Sequence, residues 1–198
     1  KGRAFDYNRV VGGRAFRGIV YATKGAGNDF FVVLRDTYGS DVVKLTIGPS
    51  IDDEEIEISF REVLEENFDG AWPSCAIFNG EHLLVTDELR NILSVFTPQG
   101  DLVKTIGGSG DGESQFNRPS GITIDSDNNV YVADTLNHRV QKFSRDLVFI
   151  HSWGEFGETD GLLNAPWGIC TDSDNFVYVA DHKNHRVQKF NADGAFIM

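Results

Sequence analysis

The sequence predicts an all-β protein built from repeated four-stranded antiparallel sheets, and three observations predict it. Pro119 to Phe143 returns almost letter for letter as Pro166 to Phe190, so that Asp134, His138 and Phe143 reappear 47 residues on as Asp181, His185 and Phe190. A fixed spacing of this size marks stacked units, none of which can bury its apolar face alone. Within each unit the apolar residues alternate with period two or form short β-branched runs, as strands require. Between those runs lie clusters of Asp, Asn, Ser and Gly suited to hairpins, and no stretch holds a helical period over three turns. Four strands joined only by hairpins make one sheet. Several such sheets set around an axis make a β-propeller, which leaves only short edges.

In chain order, residues 1–13 end in Tyr7-Asn-Arg-Val-Val-Gly-Gly13, which aligns with Val103-Lys-Thr-Ile-Gly-Gly108. This segment is expected to be the outer strand of another blade or a loose edge strand. The first unit, about 14–70, departs most from the pattern. Ala15-Phe-Arg-Gly-Ile19 opens it, Gly25-Ala-Gly-Asn28 is its hairpin turn, and Phe30–Leu34 and Val42–Ile47 are its second and third strands. Residues 51–70 then carry nine Asp or Glu. There Ile56, Ile58 and Phe60 alternate as an outer strand, and Arg61–Glu66 is expected to make one helical turn. Charge of this density usually covers a solvated face.

The second unit, about 71–117, runs from Trp72-Pro-Ser-Cys75 through Leu84–Asp87 to Ile92–Phe96. The third, about 118–164, is the most regular. Gly121-Ile-Thr-Ile alternates into the polar turn Asp125-Ser-Asp-Asn128, whose short side chains tolerate left-handed backbone. Val130-Tyr-Val-Ala returns, Asp134-Thr-Leu-Asn137 turns again, and Arg139–Phe143 and Leu147–Trp153 complete the sheet. The fourth, about 165–198, repeats this and reaches Gly194-Ala-Phe-Ile as a fourth strand begins.

Asn-His-Arg-Val-Gln-Lys-Phe occurs twice, each time three residues after Val-Tyr-Val-Ala-Asp. With the Gly-rich lead-in Gly107–Phe116 and Pro119-Ser-Gly-Ile122, it resembles the NHL repeat. The likeness is specific over 107–190 and weaker from about 12 to 106. It implies a propeller of six blades, for which roughly 280 residues are needed at this period. On that expectation the chain, a single propeller region, is part of a six-bladed ring rather than a closed ring of four, with open edges available for self-association.

The net charge is −12 and the pI about 4.7. Phosphate backbones are bound through Lys and Arg, so this balance argues against a nucleic-acid partner. No apolar run approaches the length of a membrane span. The two cysteines, Cys75 and Cys170, fall in non-neighbouring blades and are expected to be buried free thiols, which leave the compartment open.

In such a blade, the start of the first strand and the turn between second and third strands emerge on one face, where side chains from several blades converge. The candidate partner face is therefore Arg17, Ser74, Ser120 and Trp167 from the strand starts, with Arg35, Tyr38 and His182 from the turns. Trp167 is either a contact anchor or a plug for the channel. One enzymatic relative, the zinc-dependent peptidyl-hydroxyglycine lyase, resembles the chain in repeat plan. That resemblance implies histidines at several strand starts, whereas Arg17, Ser74, Ser120 and Trp167 stand there. Arg35 and Tyr38 lie near where its arginine and tyrosine belong, but in one blade. His138 and His185 recur beside Arg139 and Arg186, which suggests a repeated structural task more than a metal pair. Asp134 and Asp181 are expected to hold backbone donors of the following turn, with the arginines tying neighbouring sheets. Asp125-x-Asp127-x-Asn129 evokes a calcium loop but lacks its Gly and distal Glu, so it reads as turn chemistry. No cofactor, metal or catalytic residue is expected. The sequence therefore points to a non-catalytic scaffold for a protein or peptide, with a fragment of a lyase-like enzyme as the alternative.

Overall fold

The computed structural model describes residues 19–36, 39–47, 58–62 and 71–198. Residues 1–13, Arg17, Tyr38 and most of the acidic stretch lie outside them. Fifteen strands form four antiparallel sheets among the described residues. The first sheet is β1 (Ile19–Lys24), β2 (Asp29–Asp36), β3 (Gly39–Ile47) and β4 (Ile58–Glu62). The second is β5 (Pro73–Phe78), β6 (Leu83–Asp87), β7 (Ile92–Phe96) and β8 (Leu102–Gly107). The third is β9 (Pro119–Ile124), β10 (Val130–Asp134), β11 (Arg139–Phe143) and β12 (Phe149–Trp153). The fourth has β13 (Pro166–Thr171), β14 (Val177–Asp181) and β15 (Arg186–Phe190), followed by an isolated bridge between Phe190 and Phe196. Each strand pairs with the next in sequence, so every sheet is a meander.

The sheets pack face to face in chain order, with their first strands innermost: β1 lies against β5, β5 against β9, and β9 against β13. This is a β-propeller arrangement. Both faces of an interior sheet are covered, and the period-two alternation divides its side chains between two cores. Leu83 and Val85 turn toward the first sheet and, with Phe96 of their own sheet, meet Phe31, Val33 and Val42. Leu84, between them, turns the other way and packs with Phe116, Ile122, Val130, Val132 and Phe143. Tyr131 likewise faces the fourth sheet, with Val140, Leu163, Val177, Val179 and Phe190. Phe116 and Leu163, from the loops joining successive sheets, are fully buried and close each interface. Val187, the counterpart of fully buried Val140, is 65% exposed because no further sheet covers it among the described residues.

Hydroxyl groups join the second and third sheets each to the first strand of the next. The Ser74 hydroxyl lies 3.1 Å from the Pro119 carbonyl, and Thr86 donates to the Ser120 carbonyl at 2.6 Å. One sheet on, Ser120 donates to the Trp167 carbonyl and Thr135 to the Pro166 carbonyl, both at 2.8 Å. These side chains satisfy carbonyls that have no strand partner on that side.

Two expectations need correcting. Arg61 and Glu62 are extended, not helical, because β4 continues through them and pairs with Lys44 and Val43. Residues 63–66 of that expected turn lie outside the described residues. Cys75 is buried, but Cys170 is exposed. Its neighbour Ile169 packs toward the third sheet, so alternation along β13 turns Cys170 to the uncovered face. No helix among the described residues is long and apolar enough to cross a membrane.

Candidate functional site

One face of the arc carries a shallow cavity of about 160 Å3, bounded by side chains of the second, third and fourth sheets. Its walls are the strand starts and the second turns, and local backbone chemistry places both. The turn after β6 ends at Asn91, that after β10 at His138 and that after β14 at His185, all left-handed with φ of 57°, 55° and 54°. Each of the last two turns contains a short 3-10 segment, Thr135–Asn137 and His182–Asn184. Asn91 Oδ1 accepts from the Arg118 N–H at 2.7 Å, and His138 Nδ1 accepts from the Ala165 N–H at 3.1 Å. A turn in one sheet thus fixes the strand start of the next. His138 must be neutral on Nδ1 to do this, and burial, helped by the charge of Lys183, holds its pKa below the usual value.

Below this rim each turn is anchored by an aspartate. Asp134 is wholly buried. Its Oδ1 accepts from the Asn117 N–H at 2.8 Å, and its Oδ2 accepts from Asn137 Nδ2, Arg139 Nε and Gln141 Nε2 at 2.9, 2.9 and 3.0 Å. Arg139 carries on to the carbonyls of Asp111, Gly112 and Gln115 in the loop before β9. Asp181, Asn184, Arg186 and Gln188 repeat the arrangement. The backbone donor each aspartate holds therefore belongs to the segment ahead of its own sheet, and the turn that follows contributes only the Asn137 or Asn184 side-chain amide. The arginines bind the connecting loop, which links the sheets. Burial pushes the Asp134 carboxyl up, against the pull of these donors. The Asp125 carboxylate accepts from the Asp127 and Asn129 N–H groups and from Tyr131 Oη, so its oxygens serve the turn.

In the cavity, Trp167 is 45% exposed and its ring lies 5.4 Å from that of His182. Exposed Leu136 and buried Ala165 supply the remaining apolar wall. Glu88, buried at its edge, accepts from Arg118 Nη2 at 2.7 Å, while Arg35 Nη1 stands 3.6 Å from its other oxygen. Arg35 also lies over the Trp72 ring at 5.1 Å. The structure thus brings Ser120, Trp167 and His182 together, with Arg35 joined through Glu88. Ser74 lies outside the cavity with its hydroxyl engaged between strands, and the Ser120 hydroxyl is similarly engaged at the cavity floor. Arg118, Thr135, Leu136, Ala165 and Lys183 escaped sequence reasoning.

The model of the NHL repeat matches residues 116–143 and 163–190. The third and fourth sheets thus carry NHL repeats. Those two repeats contain both turn aspartates, both histidines and both arginines of the anchoring network. A search of curated proteins finds no match. Among solved structures, the chain is similar to streptogramin B lyase, with a TM-score of 0.67 at 14% identity over 96% of this chain and 56% of that one. It is also similar to a catalytically inactive virginiamycin B lyase from Staphylococcus aureus with quinupristin, with a TM-score of 0.65 at 15% identity over 92% of this chain and 55% of that one. A third likeness is to Myxococcus xanthus glutaminyl cyclase, TM-score 0.56 at 10% identity over 92% and 69%. At such identities the likeness concerns the fold, and the chain spans little more than half of either lyase.

The described residues do not assemble a catalytic zinc site. Such a site needs about three nitrogen, oxygen or sulfur ligands together. No three His, Cys, Asp or Glu side chains converge in that way among the described residues. At the rim, His138 Nδ1 is engaged by Ala165, and Glu88 is engaged by arginine.

Proposed function

We propose that this NHL-repeat propeller is a non-catalytic scaffold that recognises a protein or peptide on the face bearing Trp167 and His182. The observation that carries the reading is the half-exposed Trp167 at the wall of a 160 Å3 cavity, flanked by exposed Leu136. Trp72 and Leu89, on the second sheet, are 45% and 63% exposed as well. An indole set in a shallow, rigid depression is the usual form of an interface anchor. The cavity is smaller than the roughly 300 Å3 at which small-molecule pockets begin, so it suits one side chain of a larger partner. Arg17 and Tyr38 belong to the same proposal through their positions in the repeat. The alternative, a fragment of a metal-dependent peptidyl-hydroxyglycine lyase-like enzyme, draws on a similar repeat plan, and the ligand set it needs is not assembled by the described residues.

The test is selection of a displayed random peptide library on the purified chain and on its Trp167→Ala variant. Peptides enriched on the wild type and lost on the variant are the expected result. Enrichment that ignores Trp167→Ala, or no enrichment at all, sinks the reading. Turnover of a peptide by the purified chain would return the enzyme alternative.

A further inference from the structure

Pro119–Phe143 and Pro166–Phe190 can be compared position by position. They differ only at Ser120/Trp167, Thr123/Cys170, Ile124/Thr171, Asn129/Phe176, Thr135/His182 and Leu136/Lys183. Both members of three of those six pairs, the first and the last two, line the cavity. The anchoring residues between them are unchanged: Pro166, Gly168, Asp181, Asn184, Arg186 and Gln188 repeat their counterparts. Half of the divergence between the copies therefore falls on one small depression.

The nature of the changes indicates the ligand's chemistry. Leu136, in the third sheet, becomes Lys183 in the fourth, and Thr135 becomes His182. The Lys183 ammonium has no hydrogen bond or ion pair to any described residue and faces solvent. Arg118 also lines the cavity, with its side chain 54% exposed. One of its nitrogens is held by Glu88 and its backbone by Asn91, so the remaining guanidinium edge is presented in a fixed orientation. The one carboxylate in the cavity, Glu88, is buried and paired with that arginine. The solvent-facing charge of the cavity is therefore positive on a chain of net charge −12. Repulsion from the distant acidic groups is screened beyond about 8 Å at physiological salt, so nearby charges dominate at contact.

We propose that the cavity takes an apolar side chain with a carboxylate beside it, presented by an acidic peptide. The side chain lies against Trp167 and Leu136, and the carboxylate pairs with Lys183 and Arg118. The carboxylate has two possible sources, an Asp or Glu side chain or the end of a chain, and both present the same chemistry. This rests on the peptide-recognition reading above and adds its charge selectivity.

The experiment is fluorescence anisotropy with the purified chain and five labelled probes. Three are amidated pentapeptides, Gly-Gly-Phe-Glu-Gly and its Gln and Lys counterparts; the others are Gly-Gly-Phe as free acid and as amide. The expected result is that the Glu peptide, the free acid or both bind about tenfold or more tighter than their neutral counterparts, as charge-assisted pairing would give. Which acid gains identifies the source of the carboxylate. Lys183→Leu, which installs the residue found in the other two copies, should remove the gain and leave the neutral peptides unaffected. Equal binding by all five, or tightest binding by the Lys peptide, overturns the charge proposal and leaves peptide recognition standing. Binding by none of the probes also overturns it, and peptide recognition then stands or falls on the library selection.

Discussion

Arg139 and Asp134 meet with Nε 2.9 Å from Oδ2, and one repeat later Arg186 and Asp181 meet at the same distance. In each pair the carboxylate is wholly buried and the guanidinium continues to the loop that delivers the chain to its own sheet. Losing the arginine removes the clamp on that loop and leaves a buried carboxylate short of its cationic donor. Arg139→Met should therefore cost about 3 kcal/mol, in the range for breaking one side of a buried ion pair. Urea unfolding at constant slope measures it. Peptide binding should be unchanged, because Arg139 does not line the cavity. An unmoved midpoint would mean the clamp contributes nothing.

The second sheet contains the same aspartate without its donors. Asp87 corresponds to Asp134, but Ile92 and Ser94 replace Arg139 and Gln141. Its Oδ1 still accepts from the Trp72, Leu89 and Arg90 N–H groups at 3.1, 3.0 and 3.0 Å. Its Oδ2 makes no hydrogen bond, with Arg90 Nε 3.8 Å away. An amide there exchanges one unpaired buried group for another and leaves Oδ1 its three donors, so Asp87→Asn should cost about 1 kcal/mol or less. Asp134→Asn places an NH2 among three donors, or turns it toward a fourth, and should cost about 3 kcal/mol. Parallel denaturation curves decide the matter; equal losses would refute the account.

How much of this was legible in the sequence follows from what repeats. The sheets, the turns at Asp125 and Asp172, and the recurrence of Asp134 with Arg139 announce themselves because each copy needs the same backbone. The direction of the Asp134 contact was not legible, since Asn117 comes beside it only once the loop folds back. The cavity was half visible: Trp167 and His182 stood out as unusual residues at predicted strand starts and turns. Lys183 and Arg118 did not, because lone cations on a surface carry no pattern. The signal that finds them is the short list of positions at which the two best copies disagree. Cys170 misled because burial of an edge sheet depends on what packs beyond it.

His138 should lend the interface between the third and fourth sheets a pH dependence. Its Nδ1 accepts from Ala165, its ring meets Phe156 at 4.9 Å, and both burial and Lys183 disfavour the cation. The folded pKa lies below the unfolded value of about 6.5, so the folded state binds fewer protons in between. The contribution is complete above about pH 6.5 and is lost as the pH falls from there through the folded value. Asn91 performs the same task in the preceding sheet with an amide that does not titrate. His138→Asn should therefore match the wild type at pH 7.5 and lose less stability on acidification to pH 5.5. Melting temperatures at the two pH values test this. If the substitution leaves the pH dependence as steep as before, His138 is not its source.

Gly121 and Gly168 occupy the same repeat position in β9 and β13, yet their substitution should differ sharply. A Cβ on Gly121 would stand 2.5 Å from the Trp167 carbonyl oxygen and 3.0 Å from the Ile169 nitrogen. Both obstacles are backbone of the neighbouring first strand, and only separation of the strands relieves them. That separation stretches the Ser120–Trp167 and Thr135–Pro166 hydrogen bonds, which have no replacement. Gly121→Ala should cost about 3 kcal/mol, at the upper end for forced overpacking. A Cβ on Gly168 meets only the Ala180 Cβ at 3.7 Å, an ordinary contact. Gly168→Ala should be neutral or stabilising by about 0.5 kcal/mol, through the reduced freedom of the unfolded chain. Chemical denaturation of the two variants side by side gives the comparison. Equal effects would mean that β9 and β13 do not approach backbone to backbone, and with that the radial packing of the inner strands would fail.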